Sequence, residues 1–163
     1  MYDAAGIPII WILCCLSVLL HELGHALGFR IAGGKAGWRV EAGSGPEILR
    51  TVRFTFRLLP VGGYFMPREE AETKKQRLSM LVGGPLVSLL LAALFWAGCF
   101  CLARFADPEG ALRGILFPVC RFVMFYNGFL FLLTAVPMRY RLVCRGFESD
   151  GLQILRTLKG GKG

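Results

Sequence analysis

Two histidines one helical turn apart, with a glutamate beside the first, are the residues of this chain best suited to do chemistry: His21-Glu22-Leu23-Gly24-His25. On a helix His21 and His25 share one face, so two imidazoles can grip a single metal ion. Glu22 projects close enough to handle a water at that metal without ligating it. Zinc in such a place lowers the pKa of water towards about 7 and polarises a scissile carbonyl. Glu22 takes the proton and passes it to the leaving amine. No other histidine occurs in the chain. All three ionisable side chains fall in an apolar stretch, where each is costly unless it has a function. The pattern predicts a zinc metallopeptidase, with Glu22 catalytic and His21 and His25 as metal ligands.

A catalytic zinc commonly takes three protein ligands and keeps a fourth position open. Glu41 and Glu47 follow the motif, but in a glycine-rich loop without helical periodicity. Asp150 is favoured because Gly151 beside it permits a tight backbone, and Glu148, two residues away, is the close rival.

The elements that must position these groups are membrane spans. Of 163 residues, 55% are hydrophobic and 18% charged, and the mean hydropathy is +0.54. Apolar segments over about 7–29, 78–103 and 114–138 each reach the roughly 20 residues needed to cross about 30 Å of hydrocarbon. The expected fold is an all-α membrane protein, one domain over residues 1–163. It has three transmembrane helices and a small β-hairpin-containing loop, 30–77, at the cytoplasmic membrane edge. The first segment reads as a span and not a cleaved signal, because no basic region precedes it and it runs into the histidine motif. At 1.5 Å per residue, His21 lies about 21 Å into that span, so hydrolysis there needs a route for water.

Within the loop, Gly43-Ser44-Gly45-Pro46 reads as a turn and Thr51 to Leu58 as a hairpin arm. Pro60 and Gly62-Gly63 interrupt a second apolar piece, and Glu69 to Arg77 reads as a short helical lead-in to the second span. Gly160 to Gly163 reads as a frayed end. Cys14, Cys15, Cys99, Cys101, Cys120 and Cys144 include no Cys-x-x-Cys pair, and five of them sit in the spans as small hydrophobes.

Charge sets the orientation. From Arg30 to Arg77 there are ten Lys/Arg against five Asp/Glu, and after Met138 six against two. The Arg104 to Arg113 connection balances two against two. Positive charge stays inside, so the 30–77 loop and the C-terminus are expected in the cytoplasm and the N-terminus outside. The net charge of +8 is therefore a topology signal and not a nucleic-acid footprint, which would need a soluble basic face with interleaved aromatics.

These residues together resemble the site-2 protease family of intramembrane metalloproteases. His21-Glu22-Leu23-Gly24-His25 resembles its first-helix motif, and Leu59-Pro60-Val61-Gly62-Gly63-Tyr64-Phe65-Met66 its Pro-x-Gly-Gly-Tyr loop, a membrane-associated β element in the family. Arg77 to Gly83-Gly84-Pro85 resembles the start of the second core helix. Ser149-Asp150-Gly151 resembles the Asp-Gly that supplies the last metal ligand. Three departures stand out: Ser88 where the family usually has Asn, Thr134 where it has the Asn of Asn-x-x-Pro, and twelve residues between Pro137 and Asp150. Asn127, two turns before Thr134 on one face, is a candidate replacement for the missing amide. It reads equally well as an asparagine packing one helix on another.

The resemblance implies a Zn2+-dependent endopeptidase cutting a single-pass transmembrane substrate in the lipid bilayer, of a bacterial inner membrane given the small size. Gly62, Gly63 and Tyr64 would offer a strand edge to the unwound substrate backbone; from the residues alone, a tight turn packed on the first helix is favoured. The alternative is a non-catalytic membrane scaffold or chaperone. A metal transporter would want ionisable groups along a pathway, and the second span has none. The charge count is checked by thiol labelling of intact cells at cysteines introduced near Lys35 and Lys159. Both should stay unlabelled until the membrane is permeabilised, and efficient labelling of both beforehand would invert the topology.

Overall fold

The computed structural model describes residues 6–35, 37–68, 73–140 and 148–160. Among them the element order is α1 (Gly6–Ile31), β1 (Trp38–Arg50), β2 (Phe54–Pro67), α2 (Lys74–Phe105), α3 (Ala111–Ala135) and α4 (Asp150–Leu158). Helices α1, α2 and α3 are long and apolar enough to cross a membrane. Their large apolar side chains are mostly exposed, as at Ile7, Leu90, Leu94, Trp96, Phe125 and Phe129. Lipid in place of water is what makes that surface inexpensive. Residues 69–72 of the expected lead-in, Cys144 and 161–163 of the expected frayed end lie outside the described residues.

Two helix boundaries have a local cause, the start of α2 and the end of α3. Thr73 caps α2, its side chain accepting from the Gln76 amide at 3.1 Å. Helix α3 ends at Ala135, before the expected 138, because Pro137 disfavours helical backbone at Val136.

Helices α1 and α2 meet backbone to backbone. A Cβ on Gly24 would strike the Gly83 carbonyl, and one on Gly83 would strike the Gly24 carbonyl. One turn along, a Cβ on Gly28 would strike the Ser79 carbonyl, and the Ser79 hydroxyl donates to Gly28 O at 2.8 Å. Small residues replace a hydrophobic driving force that lipid cannot supply.

The expected hairpin is present and long, with strands of 13 and 14 residues. Strand β2 runs through Pro60 and Gly62-Gly63 without interruption, and β1 runs through Gly43 to Pro46 with bulges in place of a turn. Gly43 has φ 91°, and a Cβ there would press on Leu59 O at 2.6 Å. The tight turn lies instead at 51–53, where the Thr51 amide donates to Phe54 O at 2.7 Å. Val40, Glu41 and Ala42 are flanked on both sides, by Phe65, Tyr64 and Gly63 and by Phe54, Thr55 and Phe56. Val40 thereby becomes fully buried, in a core with Ala26, Phe29 and Phe65.

Beyond that core β2 follows α1 outward. The Trp11 indole donates to Leu58 O at 2.7 Å, and the Tyr126 hydroxyl to Pro60 O at 3.0 Å. Arg57, ion-paired with Glu41, covers Gly45 O at 2.9 Å. Carbonyls of this irregular backbone are thus met by side chains of α1, α3 and the hairpin itself.

Gly24→Val or Gly83→Val should destabilise the protein by about 1–3 kcal/mol or more, because neither carbonyl can retreat. Gly128→Ala, with nothing within 4 Å of the new methyl, should be close to neutral. Thermal unfolding in detergent measures both; equal effects would refute the close contact.

Candidate metal centre

The buried face of α1 carries Ser17, His21, Glu22 and His25. Donor atoms of His21, Glu22 and His25 lie within 4.8 Å of one another. The two rings stand nearly perpendicular, 5.0 Å between centroids at 80°. Asp150, at the first position of α4, brings Oδ2 to 3.5 Å from His21 Nε2 and 3.5 Å from His25 Nε2. Two ligands of one tetrahedral zinc, each at about 2.0–2.1 Å, are about 3.3 Å apart, so both imidazole–carboxylate spacings fit that metal.

The far side of each imidazole is held by α2. The His25 Nδ1–H donates to Met80 O at 2.8 Å, and His21 Nδ1 lies 2.8 Å from Ser88 Oγ. A carbonyl only accepts, so His25 carries its proton on Nδ1 and presents an unprotonated Nε2 to the centre. Between these contacts, a Cβ on Gly84 would sit on Nε2 of both histidines. Glycine there keeps the space at the donor atoms open. The donor set, its spacing and this cleared cradle all fit a zinc ion.

The profile of Peptidase family M50, the site-2 proteases, matches residues 9–158. The chain belongs to this family. A relative from Clostridium acetobutylicum named "Putative zinc metalloprotease" is 29% identical over 105 residues, covering 55% of this chain and 30% of the relative. The chain thus spans less than a third of that relative's length. The membership and the name both support a metalloprotease, and with three apolar helices they support an integral membrane protein.

In this M50 chain the carboxylates raised as third ligands sort themselves by their partners. Glu41 is engaged by Arg57, and Glu47 faces Arg50 at 3.9 Å. Glu148 is clasped by two arginines, Arg139 Nε at 3.1 Å and Arg156 Nη1 at 2.6 Å. Asp150 alone among the four faces the histidines. Residues on either side of the long segment after Pro137 pair with each other: Arg139 bridges Glu148, the Ser149 amide donates to Met138 O at 3.0 Å, and the Ser149 hydroxyl donates to Val136 O at 2.8 Å. The extra length therefore leaves Asp150 close to the end of α3. Gly151 serves differently from expectation. It is helical, and its lack of a Cβ lets α4 press on the Ala135 carbonyl.

The substrate-binding candidates divide. A Cβ on Gly63 would lie 2.5 Å from Glu22 Oε1, so β2 passes directly against the glutamate. Gly62 has φ 71°, and Tyr64 is exposed. Asn127 is 0% exposed, and its amide donates to Ser17 Oγ at 3.0 Å and Val123 O at 2.9 Å. Those contacts are those of a residue packing α3 on α1. The Thr134 hydroxyl is turned back on its own helix, to Leu130 O at 3.0 Å. Residue-by-residue reading missed Met80, whose contribution is a carbonyl and leaves no mark in sequence, and the clearances at Gly63 and Gly84.

Asp150→Ala should lower zinc content and activity together, while Glu148→Gln should keep zinc at the wild-type level. Zinc analysis of the purified variants checks this; the reverse pattern would make Glu148 the ligand.

Proposed function

We propose that the chain is the catalytic core of a zinc-dependent intramembrane endopeptidase that hydrolyses a peptide bond in or near the transmembrane segment of a single-pass membrane protein. The observation that carries this reading is the equal 3.5 Å approach of Asp150 to His21 and His25 with Glu22 buried beside them. His21, His25 and Asp150 would hold the metal, which when bound supplies Lewis-acid activation of water and of the scissile carbonyl. Glu22 is the proton carrier, accepting from water and donating to the leaving amine. Its position against Gly63 puts that transfer beside β2.

A transmembrane substrate arrives with its amides bonded within its own helix, and a cut requires local unwinding. The 63–67 part of β2 pairs with β1 along one edge, and no second strand is registered against it among the described residues. Addition of the unwound segment to this strand would replace the lost helical bonds and bring the scissile carbonyl towards Glu22. The protein would sit in a bacterial inner membrane with its 30–77 loop and C-terminus cytoplasmic, in keeping with the charge distribution.

A non-catalytic scaffold or chaperone is the second reading. It is favoured by Thr134, whose hydroxyl bonds back to Leu130 O, and by the Asn127 amide nitrogen, which is taken by Ser17 and Val123. Glu22→Gln separates the two. It should cut cleavage of a transmembrane substrate by about 10²–10⁴-fold while zinc content and folding are kept, because glutamine cannot carry the proton. Cleavage at the wild-type rate would remove Glu22 from the mechanism, and no cleavage by the wild type of any trapped membrane substrate would favour the scaffold.

A further inference from the structure

We propose that Ser88 is a positioning residue of the metal centre, its hydroxyl oxygen accepting a hydrogen bond from the Nδ1–H of His21, which holds the proton on Nδ1 and leaves Nε2 unprotonated and turned towards Asp150. The inference rests on the reading that His21, His25 and Asp150 hold zinc, and it assigns a task to a position where this chain departs from the family's asparagine.

Ser88 Oγ lies 2.8 Å from His21 Nδ1, and Ser88 is 0% exposed, so bulk water does not compete for that nitrogen. The equivalent nitrogen of His25 is met by the Met80 carbonyl at the same 2.8 Å. Met80 and Ser88 flank Gly83-Gly84 on α2, and His21 and His25 flank Gly24 on α1, where the two backbones touch. One helix thus presents two imidazoles, and the other supplies an acceptor for the outer nitrogen of each. Gly84 and Ser88 are one turn apart on α2 and act on opposite sides of the same ring: Gly84 clears the space at Nε2, and Ser88 meets Nδ1. An imidazole that ligates through Nε2 must carry its proton on Nδ1, and a partner there sets both the tautomer and the ring orientation. With alanine at 88 that N–H would be buried without an acceptor, and the ring would be free to turn.

Ser79 provides the control. It too is a serine of α2 whose hydroxyl bonds α1, but to a backbone carbonyl, Gly28 O at 2.8 Å, and not to a ligand. Zinc affinity is measured by chelator competition, and metal-free thermal stability alongside it, for the wild type and the variants Ser88→Ala, Ser79→Ala and His25→Ala in detergent. Ser88→Ala should bind zinc about 10- to 100-fold more weakly. Ser79→Ala should bind it as the wild type does, although both lose an interhelical hydrogen bond and should lose similar metal-free stability. Wild-type affinity in Ser88→Ala, or an equal loss in both serine variants, overturns the positioning role. Retention of zinc by His25→Ala would instead show the ligand set to be wrong, and the proposal would fall with it.

Discussion

The backbone contact between α1 and α2 is the constraint on which the rest of the structure depends. Lipid gives two apolar helices no reason to prefer each other over hydrocarbon, so their association rests on close packing and on hydrogen bonds between them. Gly24, Gly28 and Gly83 supply the first, and the Ser79 hydroxyl supplies one of the second. Only at that separation can Met80 O and Ser88 Oγ reach the outer nitrogens of His25 and His21. Gly84, next to Gly83 in this contact, keeps the donor side of the imidazoles clear. Packing and site are one device, and a side chain added at Gly84 would strike Nε2 of both His21 and His25.

Two further elements complete the site, and each meets the problem of polar groups in an apolar surrounding differently. The hairpin is irregular backbone laid along α1, tolerated because Trp11, Tyr126 and Arg57 answer carbonyls at Leu58, Pro60 and Gly45. It brings Gly63 against Glu22, which places strand backbone beside the buried carboxylate. Helix α4 is short, and a nine-residue helix has little stability of its own. It is held by its surroundings: Ser149 caps its start, the Lys74 amine bonds Leu158 O at its end, and Arg139 and Arg156 clasp Glu148 in front of it. The negative Asp150 at its first turn is also favoured by the helix dipole.

That clasp bears on how the family's pattern tolerates change here. The segment between Pro137 and Asp150 is long, yet its two ends are tied by backbone and side-chain bonds at Met138, Arg139, Glu148 and Ser149. Length held between tied ends leaves the geometry beyond them untouched, and Asp150 still faces His21 and His25. Ser88 follows the same logic at the level of one side chain: the position lies where α2 meets His21, and a hydroxyl can fill it.

By itself the sequence determined the three apolar spans and the His-Glu-x-x-His pattern on the first of them, and it pointed to Asp150 only as an expectation, with Glu148 as its rival. These follow from local rules: apolar length sets a span, and a four-residue spacing sets a shared helical face. The hairpin was legible as β structure but not in its turns. Thr51 reads as strand by composition yet forms the turn, and Gly43 to Pro46 reads as a turn yet bulges within β1, because pairing to two parts of β2 overrode local preference. What only the tertiary structure decided are the contacts between elements far apart in the chain: Glu148 drawn off by arginines, Asn127 bonded to Ser17, Gly63 against Glu22, Ser88 on His21. Each depends on a separation between two elements, and neither composition nor spacing within one element carries that distance.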